Sequence, residues 1–345
     1  MTLKTLLLFC LLCLSWMQSS FADPIANQHA PAGVMFDHIH EKGEWMLGYN
    51  VQRLYQNQAY YHASQTASAE QLAPYSMLAQ QHEMYMQMFH IMYAPTDNLS
   101  LSLMPMYMRM DMPMIPNTNL QNSDHTEHAM SHAVAGQSNT HASTNEGWGD
   151  TLINASYPLL TQDRHQLITS LALSAPTGDY KKFSEDQRPI HYGMQIGAGL
   201  WQAIPSLTYL YHRDLFSAGL QVSTRQPLFN DLNRLGYYVG DQHNATAWLS
   251  YLWHPYFNTS ARIQYSRTDS IQGHYQTEHN HSTPADIQGN YGGEQSFAGL
   301  GFNAFLPWFG GLRTGLEIMT PIDEHLKGVQ QRTAHIWNFS VSRGF

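Results

Sequence analysis

Cysteine is almost absent from this chain: among 345 residues, only Cys10 and Cys13 are cysteines. Both lie in an N-terminal stretch in which Lys4 precedes an apolar run that ends in small residues at Ala22. This order of features predicts a secretory signal peptide over residues 1–22, cleaved after Ala22. The mature chain would then have no cysteine, which excludes disulfides and thiolate chemistry.

Charged residues are also scarce, at 12% of the chain against about 25% in an ordinary soluble domain. The formal net charge of −9 argues against a nucleic-acid partner, which would call for a basic surface. After residue 22, no apolar run approaches the roughly 18 to 20 residues that a membrane-spanning helix requires. Aromatic residues, in contrast, reach 12%. This composition favours a chain that crosses a membrane as strands.

Apolar and polar residues alternate with a period of two in many segments, as they do in half-buried strands. The segments lie near 44–55, 82–94, 98–112, 148–158, 165–176, 200–212, 215–226, 243–254, 258–269, 294–306, 311–320 and 335–345. Short turns follow every even-numbered segment and long polar connections follow every odd-numbered one, including the eleventh. We therefore predict an all-β fold over residues 44–345: a single transmembrane antiparallel β-barrel of about 12 strands, with short periplasmic turns and long external loops.

The last predicted strand has one apolar face and one small, polar face. Trp337, Phe339 and Val341 alternate with Asn338 and Ser340, which suits lipid on one side and a wet lumen on the other. A terminal aromatic residue on such a strand resembles the signal that the bacterial barrel-assembly machinery reads. We expect a monomer in the outer membrane of a Gram-negative bacterium, with outer-membrane lipid and that machinery as its partners.

Methionine is concentrated in the second and third predicted strands. The shared faces carry Met84, Met86, Met88, His90 and Met92 on one strand and Met104, Met106, Met108, Met110, Met112 and Met114 on the other. Because a short turn makes these strands an antiparallel hairpin, both faces lie on one side of the sheet, which we expect to be the lumen. Thioethers and imidazoles are ligands that suit Cu(I) and Ag(I).

Histidines extend this pattern outside the two strands. His38 and His40, with Met35 and Asp37, lie in residues 23–43, a segment predicted to be periplasmic or to plug the lumen. The predicted external loop 113–147 contains His125, His128, His132 and His141, and a later loop contains His274, His279 and His281. The side chains of His38, His40, His125, His128 and His132 join the methionine face as candidate metal ligands. No resident cofactor is required, and copper or silver would be a transported or bound ion.

Other interpretations of these residues stay open. Methionine fills irregular interiors, so the Met faces could be packing or a path for a hydrophobic aromatic solute. Glu317, Arg313 and Arg262 are interpreted as an internal polar network. No motif of a serine hydrolase, a zinc protease or a phosphate-binding loop is present, so we do not expect an enzyme.

Several stretches resemble a family of Gram-negative outer-membrane barrels named for the MetA pathway of phenol degradation. They are residues 30–35, 37–40, 42–46, 92–97, 148–150, 175–178 and 194–199. The resemblance implies a barrel with a transport role, and relatives with a similar N-terminal segment are associated with heavy-metal handling. The expected function is an outer-membrane channel or transporter for a small solute, with soft metal ions as the sharpest candidate. The alternatives are a carrier of hydrophobic aromatic compounds and a non-transporting structural or surface-binding barrel.

Overall fold

The computed structural model describes residues 26, 29–118, 141–229 and 232–345. The predicted signal peptide lies outside these residues. The strands are β1 (Trp45–Ala63), β2 (Gln65–Thr66), β3 (Met77–Ala79), β4 (His82–Thr96), β5 (Leu99–Met104), β6 (Met106–Pro116), β7 (His141–Trp148), β8 (Thr151–Gln162), β9 (His165–Ala175), β10 (Gln202–Arg213), β11 (Phe216–Pro227), β12 (Tyr237–Tyr238), β13 (Gln242–His254), β14 (Phe257–Thr268), β15 (Gln272–Gly273), β16 (Gly293–Leu306) and β17 (Leu312–Gly344).

Helical structure is confined to short pieces. They are α1 (Ala69–Leu72) and 3-10 turns at Tyr192–Met194, Pro284–Asp286, Gln288–Asn290 and Pro307–Phe309. Within the described part of the chain, no helix is long and apolar enough to span a bilayer.

Fifteen of these strands form one closed antiparallel sheet, and β12 pairs with β15 in a separate two-stranded sheet. β1 pairs with β17 on one side and with β4 on the other, which joins the two ends of the sheet. β5 and β6 together cross the wall once, as do β7 and β8, and β17 turns back to cross it twice. With β1, β4, β9, β10, β11, β13, β14 and β16, the described wall has twelve crossings. The predicted barrel of about 12 strands is confirmed.

The period-two pattern places apolar side chains outside and polar side chains inside. On β1, Trp45 and Leu47 are exposed whereas Met46 between them is buried. On the last crossing, Trp337 and Phe339 are exposed whereas Asn338 is buried. Closure satisfies the backbone groups within the sheet, and the apolar outer surface suits hydrocarbon.

The predicted long connection before the last strand is wrong. β17 is continuous through Gly328, which turns the chain with a φ of 61°. Its two halves contact each other where Asn338 Nδ2 donates to Glu317 Oε2 at 3.0 Å and Arg332 Nε donates to Glu324 Oε2 at 2.6 Å. Residues 321–334 are polar because the hairpin that they form continues beyond the apolar belt of the barrel. Their composition therefore resembles that of a loop.

The boundaries of the predicted His-rich loop 113–147 are also wrong. β6 continues to Pro116 and β7 begins at His141, and Met112 pairs with Ser143 in the ladder between them. Strand pairing outside the lipid depends on backbone hydrogen bonds and needs no apolar face. For that reason, hydropathy alone placed the end of β6 too early and the start of β7 too late.

The N-terminal plug, residues 29–43, lies inside the barrel near its short turns. Gln221 Nε2 donates to the Met35 carbonyl at 2.7 Å, and the Lys42 N–H donates to Asp97 Oδ1 at 2.9 Å. Phe36 packs in a buried cluster with Met88 and Met104 of the wall. The plug therefore fills the lumen at the end of the barrel that we predict to be periplasmic.

The external loops fold over the opposite end. We call residues 179–197, 232–241 and 269–291 the loop cap. Its centre is a cluster of tyrosines in which Tyr192 and Tyr275 stack with ring centroids 4.1 Å apart and Tyr237 packs edge-on against both. Met194 and Ile196 point from the cap onto the wall. The chain itself thus enters the lumen at one end and packs against the wall at the other.

Candidate metal site in the barrel lumen

The Met wall consists of the ten methionines predicted on the hairpin. Where β4 and β6 pair, methionines of one strand lie directly opposite methionines of the other. Met84 faces Met110, Met86 faces Met108 and Met88 faces Met106 across the ladder between β4 and β6. The buried members are Met88, Met92, Met104, Met106, Met110, Met112 and Met114, while Met84, Met86 and Met108 are partly buried. His90 is buried on the same side, and Phe89 and Ile91 beside it are exposed on the outside.

The Met wall is covered rather than open. Near the plug, Met88 and Met104 pack against Phe36. Near the loop cap, Met110 and Met112 pack against Met194. The Met wall thus extends from the plug at one end to the cap at the other.

The plug brings a group of ligand atoms together. His38 Nδ1 lies 2.8 Å from Asp37 Oδ1, and His29 Nδ1 lies 3.8 Å from Asp37 Oδ2. Each of these three residues can offer an atom to one ion, since the ligand atoms lie within 4.8 Å of one another. We call His29, Asp37 and His38 the plug triad.

Two further imidazoles stand next to the plug triad. The His40 ring centroid lies 4.9 Å from that of His38, and His90 lines the same cavity of about 80 Å³ as His29 and His38. Nε2 of His38, His40 and His90 is buried and has no hydrogen-bond partner among the described residues. Buried polar atoms normally have partners, so three such nitrogens in one place require an explanation.

Local structure aims these side chains into the lumen. Phe36 adopts a φ of 62°, a left-handed conformation that reverses the chain. The reversal lets Asp37 Oδ2 accept a hydrogen bond from the Ala30 N–H at 2.8 Å. His40 is fixed by its own N–H, which donates to Ser100 Oγ at 3.0 Å, and by Glu44, whose Oε2 lies 3.2 Å from Nδ1. The plug is therefore a folded loop with its ligand atoms held in place.

The electrostatics of the plug keep these groups in metal-binding form. Burial is the largest cause that lowers the pKa of His40, to about 3, and His38 adds to it. Burial likewise lowers the pKa of His29 well below its ordinary value. For Asp37, burial acts to raise the pKa, but the charge and hydrogen bond of His38 outweigh it and the pKa stays below its ordinary range. At neutral pH His29 and His40 are therefore neutral imidazoles and Asp37 is a carboxylate, which are the forms that metal binding requires.

A thioether also reaches the cavity. Met46 of β1 lines it together with His90, and Met46 pairs with Met92 in the ladder between β1 and β4. Opposite them, Arg313 lines the cavity as well. The site thus combines imidazole, carboxylate and thioether atoms with one nearby cation.

The structure brings some of the candidate ligands together and leaves others elsewhere. His38, His40 and His90 lie together at the plug, and Met92 pairs with Met46, which lines the plug cavity. Met108, Met110 and Met112 lie toward the cap. The remaining candidates, His125, His128 and His132, lie outside the described residues. His29 and Met46 were missed as ligands. Position 46 carries the alternation signal of a lumen-facing strand residue, but nothing in the sequence marks His29.

A buried ion pair of the barrel wall contacts the plug at Gly33. Arg262 binds Glu317 through two hydrogen bonds of 2.8 Å, and both side chains are buried. The expected internal network is therefore present, but the partner of Glu317 is Arg262, while Arg313 packs over the Phe305 ring. Gly299 of the intervening strand β16 pairs with Arg262, and a Cβ atom there would come within 2.8 Å of Met319 Cγ, beside the ion pair.

Comparison with known proteins identifies the fold. No family model matches the chain, and no curated protein matches it. Its structure is similar to that of an outer membrane channel from Pseudomonas putida F1, with a TM-score of 0.60 and 13% identity over 92% of this chain and 100% of that chain. Weaker likenesses include the CymD monoaromatic hydrocarbon channel, with a TM-score of 0.41 and 9% identity over 89% of each chain.

A Pseudomonas aeruginosa FadL homologue is also similar, with a TM-score of 0.37 and 10% identity over 87% of this chain and 89% of that chain. The likeness to the outer membrane channel from Pseudomonas putida F1 supports the closed β-barrel fold of this chain. At such identities the likeness defines the fold and assigns no solute.

Proposed function

We propose that this barrel is an outer-membrane channel for a small solute and that its solute is a copper ion, which binds at the plug triad and the adjoining His40 and His90. The observation that carries the proposal is the plug triad, in which His29, Asp37 and His38 can each offer an atom to one ion. Nε2 of His38, His40 and His90 is buried without a hydrogen-bond partner among the described residues, and an unpaired buried polar atom costs about 1–3 kcal/mol. An ion at the plug triad would give His38 a partner, and His40 and His90 lie beside it.

The donor set argues for copper among the metals. Imidazole nitrogen suits copper and zinc, and the thioether of Met46 adds a soft atom that favours copper. The carboxylate of Asp37 offsets part of the ion's charge. Hard cations such as Mg²⁺ prefer oxygen ligands and would find a single carboxylate here.

The surroundings favour weak and exchangeable binding. The Arg313 guanidinium lines the cavity opposite the imidazoles and opposes the arrival of a cation. Conduction requires that an ion bind strongly enough to enter and weakly enough to leave. The plug triad with its neighbouring cation matches that requirement better than a closed structural metal site would.

A route for a hydrophobic aromatic solute has less support. The wall that faces the hairpin carries the buried apolar side chains of Ile168, Leu210 and Trp248. Buried hydroxyl and amide groups alternate with them at Ser170, Ser174, Ser206, Thr208, Thr246, Ser250 and Asn258. The hydroxyls of Ser174, Ser206 and Ser250 have no hydrogen-bond partner among the described residues, and an apolar solute beside them would supply none.

The test is the stoichiometry of Ag(I) and Cu(I) binding to the refolded full-length barrel. The variant His38→Gln/His90→Gln removes two ligands on opposite sides of the cavity. The matched control is His254→Gln, an exposed imidazole beside a periplasmic turn. We expect the double variant to lose one bound ion or at least about tenfold in affinity, and the control to match the wild type. Equal binding by all three proteins would overturn the proposal.

A further inference from the structure

A second cavity, of about 170 Å³, lies between the loop cap and the end of the Met wall that is nearer the cap. Its lining includes His82 and His191 together with Met112, Met114 and Met194. His82 begins β4, whereas His191 and Met194 belong to the cap. The cavity is therefore assembled from the wall and an external loop, at the other end of the Met wall from the plug triad.

His82 is held with one nitrogen free. Its Nδ1 lies 2.8 Å from Gln56 Oε1, which fixes the ring against β1. Its Nε2 is buried and finds no hydrogen-bond partner in the part of the chain that the structure describes. Since Gln56 and His82 both line the cavity, the ring is fixed at the boundary of that space.

His191 is held in a complementary way. Its Nδ1 lies 2.6 Å from Asp286 Oδ1. Asp286 is buried and its second oxygen accepts from the Thr283 N–H at 3.0 Å, so the carboxylate is fixed in its turn. A carboxylate on Nδ1 sets the tautomer and orientation of an imidazole and raises the basicity of Nε2, as it does for histidines that bind metals.

The methionines of the lining supply soft thioether donor atoms. Met194 is fully buried and packs with Met112 and Met114 in one cluster. The carboxylate nearest the cavity, Asp286, is occupied by His191 and Thr283. Two imidazole nitrogens and several thioethers without a free carboxylate are a donor set for a soft monovalent ion.

We infer that this cavity, the cap site, is a second metal site that binds Cu(I) or Ag(I) through Nε2 of His82 and His191 and thioethers of Met112, Met114 and Met194. As a binding site it stands on its own geometry. Its role as the external capture point rests on the proposed function. It differs from the plug triad in donor chemistry, so the cap site discriminates against Zn²⁺ more strongly than the plug site does.

The experiment measures Ag(I) bound per refolded full-length barrel for wild type and two double variants. We expect two ions on the wild type. His82→Gln/His191→Gln should retain the plug ion alone, and His38→Gln/His90→Gln should retain the cap ion alone. X-ray absorption at the silver edge should show sulfur ligands on the ion that the plug variant retains. An exposed external histidine, changed in His62→Gln, supplies the control.

The outcomes separate the two claims. If the cap variant binds as many ions as the wild type, the cap site is wrong whatever the plug variant does. If the plug variant alone is unchanged, the proposed plug site is wrong and the cap site stands. A cap variant that fails to assemble is replaced by Met112→Leu/Met194→Leu, since such volume-conserving swaps usually cost less than about 1.5 kcal/mol. Fewer sulfur ligands or weaker Ag(I) binding at the cap in that variant supports the cap site, and unchanged ligation with unchanged affinity overturns it.

Discussion

Gly33 of the plug lies directly on Glu317 of the wall: a Cβ atom at position 33 would come within 2.6 Å of Glu317 Oε2. The same atom would lie 2.6 Å from the Arg262 guanidinium, which binds Glu317. The plug thus docks its backbone on a buried ion pair of the barrel wall. Only a glycine allows so close an approach.

The first prediction follows from this contact. Gly33→Val adds three carbon atoms where no space exists, so the plug should leave its position while the wall strands stay intact. We expect a clear rise in ion conductance across planar lipid bilayers. Gly289→Ala is the control, since a Cβ there would meet nothing within 4 Å. A variant that assembles normally and conducts like the wild type would show that the plug is not held by this contact.

The second prediction concerns the ion pair itself. Glu317→Gln leaves the buried Arg262 charge without its carboxylate, which should destabilise the barrel by about 3–5 kcal/mol. Urea unfolding in lipid vesicles measures the change. Asp214→Asn breaks an exposed pair with Arg213 and should cost at most about 1 kcal/mol. Equal losses for the two variants would contradict the structural role of the Arg262–Glu317 pair.

Side-chain alternation explains why the sequence predicts the wall so well. Facing lipid or lumen is a local property with a period of two, so Met88 inside and Phe89 outside can be assigned from the chain alone. The partner of Glu317 cannot be assigned in this way. It depends on the register across β16, where Gly299 pairs with Arg262 on one side and with Met319 on the other.

The candidate metal sites were harder to predict for a related reason. His29 and Asp37 meet because Phe36 reverses the chain with a φ of 62°, a conformation that no residue pattern marks. His191 reaches the Met wall because its loop folds inward and binds Asp286 of another loop. Such contacts are set by tertiary packing between distant segments, which periodicity does not encode.

The third prediction concerns the Met wall. Replacing Met104, Met106, Met108 and Met110 by Leu keeps volume and apolarity, so the barrel should assemble as before. Because these thioethers lie between the plug and the cap, we expect slower copper transfer into proteoliposomes, with both binding sites still filled. Unchanged uptake by the folded variant would leave the Met wall with a packing role alone.

The fourth prediction is a pH dependence of the loop cap. Burial raises the pKa of Tyr237 to about 12 and raises the pKa of Tyr275 further. A raised folded pKa means that the contribution to stability is complete below the ordinary value of about 10 and is lost as pH rises through the folded value. We expect the cap to resist proteases at pH 9 and to become cleavable near pH 12. Phenolate absorbance that rises fully near pH 10 would contradict this packing.

The most direct test of the central claim is the initial rate of Cu(I) uptake into proteoliposomes that contain the refolded barrel. The account predicts uptake by the wild type and by His254→Gln. It predicts a rate at least about tenfold lower for His38→Gln/His90→Gln, because the ion loses its ligands on both the plug and the wall. Equal rates for the three proteins, each shown to be folded, would contradict a copper path through the plug site.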